Sequence, residues 1–76
     1  MRQHAPEPNA YSILDFCRTH GISKAFFYEL QKEALGPRVM KVGRRVLISR
    51  QAAEDWVRER EAAALKEART RAGHRS

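Results

Sequence analysis

The sequence lacks several features on which whole classes of protein depend. It holds one cysteine, Cys17, in 76 residues, so no disulfide can form within the chain, which argues against an oxidised, secreted scaffold. It holds no apolar run of the length that crosses a membrane, and residues 1–9 lack the apolar stretch of a signal peptide. We therefore expect a cytoplasmic protein without a membrane partner.

Arrangements of residues that support catalysis or metal binding are also missing. The three histidines, His4, His20 and His74, are widely spaced, and with a single cysteine they make no credible set of metal ligands. The chain shows no acid–base pair, nucleophile constellation or glycine-rich phosphate loop. We expect a protein that is not an enzyme and that uses no cofactor, metal or small-molecule ligand.

The length allows a single domain. Residues 1–9 contain Pro6 and Pro8 and almost nothing apolar, which predicts a disordered lead-in. We place the domain at residues 10–68 and a frayed C-terminal tail at residues 69–76, where the apolar stripe has faded.

Two short helices are predicted in the first half of the chain. Ser12 followed by Asp15 matches a capping box, and Gly21 is a suitable stop after His20. Ser23 caps a second helix from about residue 24 to residue 34, before Gly36 and Pro37. Two helices separated by about three residues that include a glycine are typical of a helix-turn-helix.

A hairpin and a third helix are predicted to follow. Residues 38–48 are rich in β-branched side chains, and Gly43-Arg44 divides them into two short strands. Ser49 caps a helix over roughly residues 50–68. The fold class is therefore mainly α with a small β-hairpin. The apolar periodicity predicts a core that contains Cys17, Phe26, Phe27, Leu30, Val42, Ile48 and Trp56.

Positive charge is concentrated in and beside the hairpin. The formal net charge is +6, and residues 36–50 contain five basic side chains and no acidic one. Elsewhere the two signs nearly balance, with three of each in residues 10–35 and six basic against five acidic side chains in residues 51–76. A basic hairpin beside a helix-turn-helix indicates contact with the phosphates or a groove of nucleic acid.

The chain resembles the excisionase and AlpA-like family, which is related to MerR-type DNA-binding domains. The segments that carry the likeness are YSILDFC at residues 11–17, GISK at 21–24, YEL at 28–30, and KVGRRVLISR at 41–50 followed by Trp56. The resemblance implies a winged helix-turn-helix of three helices plus a wing, and sequence-specific binding to double-stranded DNA. It further implies an excisionase that assists an integrase in excising a prophage or integrative element, by cooperative binding and DNA bending.

Candidate DNA contacts fall into three groups. Side chains at the start and along one side of the second helix would reach base edges and phosphates in the major groove. Those of the hairpin would grip phosphates or enter the minor groove, and one arginine at the start of the third helix would reach the backbone. The recognition-helix candidates are Ser23, Lys24, Ala25, Tyr28 and Lys32, the wing candidates are Arg38, Lys41, Arg44 and Arg45, and the last is Arg50.

Other functions compete with excision. The same fold serves a small transcriptional regulator of mobile-element genes. A protein-interaction adaptor would instead dock an integrase through the third helix, and the basic hairpin would also suit RNA. Double-stranded DNA, an integrase and further copies of the chain on DNA are therefore the expected partners.

Overall fold

The computed structural model describes residues 9–73, with side chains described as far as residue 71. Within this range the chain is mainly helical, with a small three-stranded antiparallel sheet. The elements in chain order are β1 (Ala10–Ser12), α1 (Ile13–His20), α2 (Lys24–Lys32), β2 (Met40–Val42), β3 (Arg45–Ser49) and α3 (Arg50–Gly73). Apart from Asn9, the predicted disordered lead-in lies outside the described residues, as do residues 74–76 of the predicted tail.

The boundaries of α1 follow from two local interactions. The Ser12 hydroxyl accepts a hydrogen bond from the Asp15 backbone N–H at 3.0 Å, which satisfies a donor that the helix itself leaves free. At the other end Gly21 adopts the left-handed conformation with φ of 69°, and the Ile22 N–H donates to the Cys17 carbonyl at 3.0 Å. The predicted cap and stop of the first helix are confirmed.

Helix α2 begins as predicted but ends earlier. The Ser23 hydroxyl accepts from the Phe26 N–H at 3.0 Å. The helix ends at Lys32 instead of Ala34, because Ala34 turns into the left-handed region with φ of 59°. The Leu35 N–H then donates to the Leu30 carbonyl at 2.8 Å, which closes the helix end in the manner usually served by a glycine.

The sheet has the strand order β1-β3-β2, and both pairings are antiparallel. The hairpin of β2 and β3 is confirmed, with Gly43 in its turn at φ of 63°. Strand β1 was not predicted, although it pairs with β3 so that Tyr11 lies opposite Ile48. Three residues are too few to show an alternating pattern, and Ser12 carries the signal of a helix cap.

Helix α3 begins where Ser49 accepts a hydrogen bond from the Ala52 N–H at 3.0 Å, which confirms the predicted cap. It runs on to Gly73, past the predicted end near residue 68. Residues 69–73 include Arg69, Arg71 and Ala72, whose residue types favour a helix, and this agrees with the extra length. Throughout residues 9–73, the structure has no helix with both the length and the apolar character needed to cross a membrane.

Aromatic side chains from all three helices form the centre of the core. The ring of Phe16 is fully buried and makes edge contacts with Phe27 at 5.8 Å and Trp56 at 5.3 Å between centroids. The Trp56 indole N–H donates to the Leu35 carbonyl at 2.8 Å, which ties α3 to the segment that follows α2. The buried hydrophobic residues are Phe16, Cys17, Phe27, Ile48, Ala52, Ala53 and Trp56.

Two residues predicted to lie in the core are exposed. Phe26 is 51% exposed, because a helix of nine residues turns only a narrow side inward and Phe27 occupies it. Val42 is 53% exposed, because it pairs with Arg45 and therefore lies on the face of the hairpin opposite to that of the buried Ile48. The prediction for these two side chains was wrong, whereas Leu30 is partly buried against the core.

Candidate nucleic-acid interface

One exposed side of α2 carries two lysines and a tyrosine. Lys24, Tyr28 and Lys32 recur every four residues, so their side chains follow one side of the helix. All three are exposed, and the Tyr28 ring, 49% exposed, makes an edge contact with the buried Phe27. Ala25, also exposed, lies next to this row. The row presents two positive charges and a phenol to the solvent.

The opposite side of α2 has a different character. Phe26, Glu29 and Glu33 follow one another at steps of three and four, so they share a side, and all three are exposed. Two carboxylates repel phosphate, so the side with Lys24 and Lys32 is the better suited of the two to an anion. Sequence reasoning missed the apolar member of this acidic side because it placed Phe26 in the core.

Ser23 and Cys17 both form hydrogen bonds at the start of α2. The Ser23 hydroxyl accepts the capping hydrogen bond, although its own O–H remains able to donate. The Ser23 carbonyl accepts from the Cys17 thiol at 3.8 Å between sulfur and oxygen. Burial raises the pKa of the Cys17 thiol, an effect partly opposed by the charge of Lys24. Burial therefore disfavours the thiolate, which is the nucleophilic form of a cysteine.

The hairpin presents positive charge on both of its faces. Arg44 lies in the turn, Arg45 pairs with Val42, and Lys41 pairs with Val46, so successive basic side chains point to opposite faces. Lys41, Arg44 and Arg45 are all exposed. In the part of the chain that the structure describes, none of these three forms an ion pair. Their charge is therefore left for an external anion.

Arg38 and Arg50 differ from the other basic candidates because each already has a carboxylate partner. Arg38 lies 3.1 Å from Asp55, which also contacts Arg58. Arg50 lies 3.9 Å from Glu54, and its backbone N–H donates to the Asn9 carbonyl at 2.8 Å. A phosphate would have to compete with these acids, so we rank both arginines below Arg44 and Arg45.

His20 has a structural role. Its Nδ1–H donates to the Phe16 carbonyl at 2.9 Å, and its ring stacks on Phe16 with centroids 4.2 Å apart. Across the described residues, no group of three or more histidine, cysteine, aspartate or glutamate side chains is placed to hold a metal ion. The row on α2 and the hairpin offer positive charge and hydrogen-bond donors.

Helix α1 connects the two basic regions, since it packs against both α2 and β3. No hydrogen bond or ion pair between described residues joins the lysines of α2 to the arginines of the hairpin.

No protein-family model matches the chain, and no curated protein or solved structure matches it significantly. The likeness to excisionases and AlpA-like proteins therefore stays a prediction from the residues.

Proposed function

We propose that the chain is a winged helix-turn-helix protein that binds duplex DNA and acts as an excisionase. The observation that carries the proposal is the unpaired positive charge of the hairpin. Five basic and no acidic side chains lie in residues 36–50, and Lys41, Arg44 and Arg45 project from it without an ion-pair partner among the described residues. Duplex DNA, with its closely spaced phosphates, is the partner that such a hairpin fits best.

Helix α2 and the hairpin would contact different parts of the DNA. Lys24 and Ala25 lie in the first turn of α2. On this proposal they would meet base edges in the major groove, where a lysine donates to guanine and an alanine contacts a thymine methyl. Tyr28 and Lys32 lie further along the same side and suit phosphate contacts. The hairpin acts as the wing, with Arg44 and Arg45 on phosphates or in the minor groove.

An excisionase needs no catalytic group of its own, because the integrase performs the strand exchange. The described residues suit that role, since they offer exposed cations for DNA. Binding of several copies to adjacent sites would bend the DNA and favour excision over integration.

The test is a binding titration by fluorescence anisotropy at several salt concentrations. It compares random duplex with DNA from the attachment region and from upstream of the gene. The double variant Arg44→Ala/Arg45→Ala should weaken binding to both DNAs and reduce the slope of log K against log salt by up to about two. The matched control Lys66→Ala/Arg71→Ala removes two positive charges from α3, where Arg71 is 77% exposed, and should leave most of the slope intact.

Three results would contradict the proposal. These are no binding of duplex at low salt, an equal loss of slope in the control, and a preference for single strands or RNA hairpins. Lys24→Ala should change the preference for native DNA more than the salt slope. With the integrase of the same element, excision of a reporter should fall in step with the affinity of the hairpin variant.

A further inference from the structure

The part of α3 that follows Val57 extends beyond the body of the protein. Trp56 is its last buried side chain, and Val57 its last partly buried contact with the core, yet the helix continues to Gly73. The molecule consequently measures 58 × 29 × 19 Å along its principal axes. The projecting segment, residues 58–73, carries one large apolar side chain, Leu65, which is 54% exposed.

Leu65 faces away from the body. It follows Trp56 by nine residues, which at 3.6 residues per turn places it about 180° around the helix axis. Ala62 and Ala68 flank it at three residues on either side, and both are exposed. Small side chains beside a leucine let a second helix approach to about 8 Å between axes. The outer face, defined as Glu61, Ala62, Leu65, Ala68 and Arg69, is therefore open to another helix.

The two charged residues of the outer face lie in a fixed order along the helix, with the negative one before Leu65 and the positive one after it. Glu61 precedes Leu65 by four residues and Arg69 follows it by four, so they lie about 40° to either side of it. Among the described residues neither forms an ion pair, whereas the nearby Glu67 and Arg71 pair within the helix at 4.0 Å. A partner helix that offers the opposite order of charges around an apolar centre would satisfy both.

We propose that this partner is a second copy of the same helix, packed antiparallel on the outer face with a two-fold axis at Leu65. In this register the two leucines meet, and Glu61 of each copy faces Arg69 of the other. Parallel packing would instead place like charges together, so the charge order selects the antiparallel arrangement. The two bodies lie on opposite sides of the helix pair and do not collide, roughly 33 Å apart along its axis.

The interface is small, so the dimer should be weak. About four helical turns overlap, with one leucine from each copy, so the buried area falls below the roughly 1,200 Å² typical of stable complexes. We expect dissociation constants in the micromolar range or weaker, and a monomer at the nanomolar concentrations of a DNA titration. The proposal does not depend on DNA binding, and each of the two can fail without the other.

Sedimentation equilibrium over a wide range of protein concentration tests the charge order. Glu61→Arg alone and Arg69→Glu alone should each weaken the dimer by roughly tenfold, since each turns two attractive pairs into two repulsive ones. The double variant Glu61→Arg/Arg69→Glu should restore it. The matched control Glu59→Arg makes the same change of charge outside the outer face, and its dimer constant should stay close to that of the wild type.

Disulfide trapping tests the register independently. In a Cys17→Ala background, Leu65→Cys should form a covalent dimer on mild oxidation, because the two side chains meet at the two-fold axis. Glu59→Cys should not do so at the same concentration. A wild-type chain that is monomeric at every concentration, a double variant that fails to restore the dimer, or equal trapping at residue 59 would each overturn the proposal. A monomeric chain would leave the outer face to a different protein.

Discussion

The two parts of α3, residues 50–57 and the longer projecting segment, are similarly rich in alanine and charge and have different surroundings. Ala52 and Ala53, in its first turns, are 3% and 2% exposed, whereas Ala62 and Ala64, in the projecting segment, are exposed. Both parts are helical, so helix formation depends on intrinsic propensity, which the two parts share. Burial depends on the aromatic side chains of α1 and α2, which reach only the first part. Alanine therefore predicts a helix but does not predict whether that helix is buried.

Different forces consequently stabilise the two parts of α3. The first part is held by the packing of Trp56 against Phe16 and by the indole hydrogen bond to the Leu35 carbonyl. The projecting segment relies on propensity and on pairs such as Glu67 with Arg71, each worth about 0.3–0.5 kcal/mol. We expect the first part to unfold with the body and the projecting segment to fray independently.

The largest effect should come from Trp56→Ala. Loss of a buried indole and its hydrogen bond should lower the free energy of unfolding by about 3–5 kcal/mol, enough to unfold a domain of this size. Leu65→Ala in the projecting segment should change it by less than about 0.5 kcal/mol. Urea denaturation followed by circular dichroism measures both. Trp56→Phe keeps most of the packing, so its free energy of unfolding should fall by only about 1 kcal/mol. Equal effects at residues 56 and 65 would contradict the distinction between the two parts of α3.

A proline in the projecting segment should show directly whether this segment and the body of the protein unfold independently. Ala64→Pro costs about 3 kcal/mol within a helix, more than the exposed turns can offset, so the helix should unwind there. The ellipticity at 222 nm should fall, while the urea midpoint of the body, followed by Trp56 fluorescence, should stay unchanged. Ala64→Gly is the milder control, at about 1 kcal/mol. A lower urea midpoint for the proline variant would show that the projecting segment supports the core.

A smaller effect than that of Trp56→Ala is expected at Asp55, which lies shortly before the projecting segment begins. Its carboxylate lies between Arg38 and Arg58, whose side chains are 62% and 67% exposed, so solvent screens both pairs. Asp55→Asn should cost less than about 1 kcal/mol, and the difference from wild type should shrink at high salt. Glu59→Gln is the control for loss of one negative charge. A loss that salt does not reduce would mean that Asp55 acts by packing or hydrogen bonding instead.

Local signals were the predictable part of the fold. Ser12, Ser23 and Ser49 each cap the helix they were expected to cap, and Gly21 ends α1. These interactions join residues three to five apart, so the sequence alone specifies them. The basic character of the hairpin was predictable for the same reason, since it depends only on composition and on the turn at Gly43.

Features that depend on distant partners were missed or misplaced. Strand β1 exists because β3 offers it an edge, and the pair of Arg38 with Asp55 joins residues seventeen positions apart. Phe26 and Phe27 look equivalent in the sequence, yet only one of two neighbouring side chains on a helix can face the core. The left-handed Ala34 is missed because alanine gives no signal for that conformation.

The sequence by itself determined where the helices begin, where the hairpin turns and where the positive charge lies, because each is set by neighbouring residues. Only the tertiary structure decided which aromatic residues are buried, which arginines are paired and which side of α3 stays open. Those outcomes depend on which segments of the chain contact one another in the folded protein. Helix α3 extends past its last packing partner, so it stays helical there while its surface remains exposed.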